Sequence, residues 1–173
     1  KTEAEAAVAA GVLLNNSQNA FLKKAEPGND TNGLSQVAAW NEFAMSSTIA
    51  SYLKGYEDPR LGAYFQPNVT TGTYNSRRNG LPATLLGIPR NTPSQNSNVG
   101  EYWATPKSDR TFNPNLTAPF HVMCAAEAYF LRAEGALNGW NMDGTAEELY
   151  NTGIQTSMEQ WGIGANEIAA YIQ

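Results

Sequence analysis

Apolar positions in this chain recur mostly at helical spacing. The clearest stretch covers 118–163. Over 118–138, Met123, Ala126, Phe130, Ala133 and Leu137 fall on one stripe of a 3.6-residue period, widened by Tyr129, Ala136 and Trp140. Asn138-Gly139 supplies a stop. A second helix follows, with Thr145 as N-cap and Glu148 closing a capping box. It carries Leu149, Ile154, Met158 and Trp161 and ends near Gly162. Small residues, among them Ala133, Gly135, Ala136, Ala146 and Gly153, allow a neighbouring helix to come close. The run Ala146, Tyr150, Gly153 is similar to the second helix of a tetratricopeptide repeat, although an ordinary helical hairpin has the same pattern.

The flanking segments repeat this behaviour. The Ala-rich stretch 2–25 predicts one helix capped by Thr2 with Glu5, with an interruption near Asn15-Asn16. Segment 26–33 is a loop by composition. Its Asp30, Asn32 and Gly33 only partly match a calcium loop, because Asn41 stands where the bidentate Glu belongs. Over 34–56, Met45, Ile49, Leu53 and Tyr56 predict a further helix, which Pro59 ends by barring Asp58 from the helical region. Asp58, Pro59 and Arg60 then read as a structural corner held by charge-assisted hydrogen bonds. At the end of the chain, 164–173 predicts a last helix capped by Asn166.

The pattern fails over 66–118, where six of the nine prolines fall among many Asn, Thr, Ser and Gly. So long a polar connection is expected to be functional. The fold expected is therefore mostly α: helical segments 1–65 and 119–173, with a loop-rich insertion at 66–118 as the candidate ligand surface.

Composition narrows the function. A formal charge of −5 without a basic cluster argues against a nucleic-acid partner. No run of about 18 apolar residues is present to form a membrane helix. The single cysteine, Cys124, excludes an intrachain disulfide framework and reads as a small core residue. The chain begins at Lys1 and stops inside a helical pattern at AAYIQ, so a piece of a longer protein is expected.

Candidate chemistry is sparse. There is no G-x-S-x-G, H-E-x-x-H or P-loop. His121 is the only histidine; with Cys124 it supplies two potential metal ligands where zinc needs three or four. Neither a metal nor a cofactor is expected. Glu101 and Asp109 are the loop carboxylates a glycosidase would use. The loop also offers aromatic faces beside amide and guanidinium groups: Tyr74 with Asn75 and Arg77, and Tyr102 with Trp103. Sugars present C–H faces to rings and hydroxyls to polar groups, so these five residues are the candidate ligand contacts. The same rings would equally serve to anchor a long loop.

Four stretches carry a family resemblance: NNSQNAFLKKAEPG, SSTIASYLKGYEDPRLGAYFQP, HVMCAAEAYFLRAEGALNGW, and GTAEELYNTGIQTSMEQWGI with ANEIAAYIQ after it. In order and spacing they resemble the SusD/RagB outer-membrane nutrient-binding lipoproteins. That resemblance implies tetratricopeptide-like helix pairs as scaffold and a binding protein rather than an enzyme. It further implies a lipid anchor outside this sequence, a place on the cell surface, and an oligosaccharide handed to a SusC-like TonB-dependent transporter. Peptide or other nutrient binding by a RagB-like member, or a helical protein-interaction scaffold, are the alternatives. No ligand residue transfers by motif.

Overall fold

The computed structural model describes residues 1–26, 28, 30–109 and 111–173. Within the 26–33 loop, Pro27 and Asn29 lie outside the described residues. The chain divides into two compact units, 1–22 with 121–173, and 23–120. The predicted helical segment 1–65 is thus shared between them.

The first unit is built on the helical hairpin. Helix α6 (Ala125–Leu137) packs along α7 (Ala146–Gln160), and α8 (Ala165–Ile172) follows. The Thr145–Glu148 capping box starts α7 as the sequence predicts. Ala133, Met142 and Leu149 form the core, with Ala4, Val8, Tyr129, Ala136 and Trp140 packed against it. Gly164, not Asn166, caps α8.

The α6 stretch departs from the expectation in two ways. The helix predicted from 118 begins only at Ala125; Phe120–Met123 is instead strand β4. Pro119 keeps Ala118 out of the helical region, and β4 pairs with strand β1 (Ala20–Leu22). The predicted stripe is also displaced. Leu137 is 80% exposed and Met123 is exposed, whereas Ala128, Arg132 and Gly135 are buried. Arg132 can face inward because its Nε donates to the Met142 carbonyl at 3.0 Å and its Nη2 to that of Asp143 at 2.8 Å.

The predicted first helix is shorter than its apolar pattern. Helix α1 spans Thr2–Ala10, with Lys1 rather than Thr2 at the N-cap. Gly11 stops it, since φ 111° suits only glycine. A single 3₁₀ turn, Asn16–Gln18, then leads into β1.

In the second unit the single helix predicted over 34–56 is two. Asn32 caps α2 (Gly33–Ala39) and Ser46 caps α3 (Ser47–Gly55). Asn41 between them sits at φ 58°, a left-handed conformation that asparagine tolerates. After a one-turn helix α4 (Leu61–Tyr64) comes the long polar segment, which holds α5 (Ala83–Leu86), two 3₁₀ turns, and an antiparallel ladder of β2 (Ala104–Pro106) with β3 (Phe112–Pro114). The ladder packs on α2 through Ala38, Ala104 and Phe112.

Candidate functional site

Asparagine amides order much of the polar segment. Asn68 Nδ2 donates to the Ser94 and Asn96 carbonyls at 2.9 and 3.0 Å. Asn96 Nδ2 donates in turn to the Arg90 and Thr92 carbonyls, Asn91 Nδ2 to that of Leu85, and Asn98 Nδ2 to that of Ala38. Each bond satisfies a carbonyl that no regular ladder reaches. Asn68, Asn96 and Asn98 are buried.

Residues 74–78 run beside the start of α3. The Ser47 amide donates to the Arg77 carbonyl and the Arg77 amide to that of Met45, both at 2.8 Å. On the other side, the Ser97 amide donates to the Asn75 carbonyl at 2.9 Å. Lys54 Nζ donates to the Tyr74 carbonyl. These bonds fix the wall of an open cavity of about 690 Å³. Tyr74, Asn75, Arg78, Leu85, Arg90 and Asn91 are among the residues that line it.

The five predicted contacts do not converge there. Tyr74 and Asn75 line the cavity. The Asn75 amide is already engaged, donating to Thr71 Oγ1 at 3.0 Å and the Gln95 carbonyl at 3.1 Å while accepting from Thr73 Oγ1 at 3.0 Å. Arg77 serves the backbone bridge to α3, and its neighbour Arg78 takes the place on the wall. Tyr102 and Trp103 lie outside the lining and meet edge to face, with centroids 5.0 Å apart. The Tyr102 hydroxyl donates to the Pro119 carbonyl at 2.8 Å, and Trp103 packs on the core formed by Ala38, Ala104 and Phe112. Arg90 and Asn91, which also line the cavity, were not among the predicted contacts. Their only signal was a polar side chain beside the apolar run 81–88.

The corner at Asp58 is buried. Asp58 Oδ1 accepts from the Arg60 amide and from Arg60 Nε, each at 2.9 Å, and Oδ2 accepts from Arg60 Nη2. This carboxylate closes the turn between α3 and α4 and faces its own arginine.

Asp109 is held below the usual carboxylate range, first by the Thr111 hydroxyl and then by the Thr111 amide. These turn bonds to Thr111 favour the ionised carboxylate. His121 lies between Phe21 at 4.7 Å and Trp161 at 5.9 Å, centroid to centroid. Its Nδ1 is 2.9 Å from Gln160 Nε2 and 3.6 Å from Cys124 Sγ, and burial pushes its pKa down. Among the described residues no group of three or more His, Cys, Asp or Glu converges on a point. Nor is any helix among them long and apolar enough to cross a membrane.

Comparison with known proteins adds to this geometry. The family model described as "SusD-like: Susd and RagB outer membrane lipoprotein" matches residues 1–173. A chitin-binding SusD homolog from Flavobacterium johnsoniae is 36% identical, with a TM-score of 0.77 over 99% of this chain and 32% of its own. A SusD-like protein from Bacteroides thetaiotaomicron is 34% identical, with a TM-score of 0.74 over 98% of this chain and 32% of its own. A second SusD homolog from Bacteroides thetaiotaomicron is 29% identical, with a TM-score of 0.76 over 98% of this chain. This chain therefore spans about a third of the length of these solved structures. A comparison with curated protein sequences finds no match.

Proposed function

The chain belongs to the SusD-like family of outer membrane lipoproteins, and from that membership we propose that it is part of a cell-surface protein that captures oligosaccharide. The protein would bind and not cleave its ligand, stay at the surface by a lipid anchor, and pass the sugar to a SusC-like TonB-dependent transporter.

The observation that carries this reading is the cavity beside Tyr74. It joins an aromatic side chain to amide and guanidinium groups, with no carboxylate among the described residues of the wall. A pyranose needs a flat apolar face for its C–H side and fixed donors and acceptors for its hydroxyls. Leu81 and Leu85 extend the apolar part of the lining. The chitin-binding relative supports carbohydrate as the ligand class. Asn75 contributes by holding the wall in place, and the Tyr102–Trp103 pair by anchoring the polar segment.

Isothermal titration of an oligosaccharide panel against the full-length protein tests this. Binding is expected, and Tyr74→Ala should weaken it by about 1 kcal/mol or more. A Tyr74→Ala protein that folds normally and binds as tightly as wild type would remove the cavity from the site. Peptide binding in the absence of any sugar affinity would favour a RagB-like nutrient binder.

A further inference from the structure

Resting on the oligosaccharide reading, we propose that the cavity beside Tyr74 selects glycans bearing an anionic group, a uronate carboxylate or a sulfate ester, held by Arg78 and Arg90.

The chain is acidic, with 16 Asp and Glu against 11 Lys and Arg. A wall drawn at random from it would carry more carboxylates than cations. The cavity inverts that balance: among the described residues that line it, two are arginines and none is Asp or Glu. Other arginines have clear structural duties. Arg60 closes the Asp58 corner, and Arg132 binds the 142–143 turn. Arg78 and Arg90 are exposed and form no ion pair among the described residues. Arg77 and Lys54 adjoin the same wall, through the bridge to α3 and the Tyr74 carbonyl.

A neutral sugar asks only for hydroxyl partners, which amides and backbone carbonyls supply. Two cations lining one cavity leave a positive charge that such a ligand would not neutralise. The planar guanidinium fork, in contrast, matches a carboxylate or sulfate through two parallel hydrogen bonds. Tyr74 and Leu85 then hold the ring while the arginines take the anionic substituent.

The test uses the full-length protein and matched ligands. One pair is an oligogalacturonate and its methyl ester; the other is a sulfated chondroitin oligosaccharide and its desulfated form. Neutral chito-oligosaccharides complete the panel. At least one charged member should bind about tenfold or more tighter than its matched partner, and the advantage should shrink as salt is raised. Arg78→Gln and Arg90→Gln should each remove most of that advantage, with Arg78→Lys intermediate. The pair that responds tells carboxylate from sulfate. Charged ligands that gain nothing over their matched partners overturn the proposal, while neutral binding leaves the oligosaccharide reading standing. Failure to bind any glycan would take both down.

Discussion

Gly153 faces the Phe130 ring across the α6–α7 contact. A Cβ built there would stand 2.7 Å from Phe130 Cε1, inside any tolerated contact. Gly153→Leu should therefore destabilise the protein by about 1–3 kcal/mol through overpacking, measured by denaturant unfolding. An unchanged midpoint would mean that the hairpin is looser than this. Glu148 is the second residue whose environment makes a prediction. The Thr145 hydroxyl, and then the Thr145 amide, hold its carboxyl below the ordinary value of 4.5. Because the folded-state value is the lower one, the stabilisation is complete above the unfolded-state value. It is lost as pH falls through the folded-state value. The melting temperatures of wild type and Glu148→Gln should differ most near neutrality and draw together once pH drops below about 4.5. A gap that stayed constant on acidification would remove the capping carboxylate as its cause.

Helix boundaries show what was legible and what was not. The α6–α7 hairpin could be read because both chemical signals, the Asn138-Gly139 stop and the Thr145–Glu148 box, are local. The start of α6 could not, because its cap is remote: Asn19 Oδ1 accepts from the Ala125 amide, more than a hundred residues along the chain. Asn19→Ala should accordingly cost about 1 kcal/mol, as loss of an N-cap does, with reduced hydrogen-exchange protection in the first turn of α6. Undiminished protection there would show that Cys124 at the N-cap position suffices. The break between α2 and α3 had a local trace, Ser46 ahead of a helical run, which the longer apolar period concealed. Arg132 was unreadable for another reason. Periodicity treats arginine as solvent-facing, and only the carbonyls of the 142–143 turn make its burial acceptable.

At the scale of the molecule, the mostly helical scaffold and the tetratricopeptide-like fold of the family agree with the hydrophobic pattern. The 66–118 segment was less accessible to it. Over 66–118 the order comes from asparagine amides bonded to distant carbonyls, which leave no periodic signature. Sequence reasoning therefore could not tell which rings face a cavity and which serve as anchors. Tyr74 lines the wall, whereas Trp103 completes a core. The most direct measurement is a crystal structure of the full-length protein with a bound oligosaccharide taken from the titration panel. A sugar ring against Tyr74, within reach of Arg78 and Arg90, is the predicted result. A sugar seated elsewhere, with this cavity empty, would contradict it.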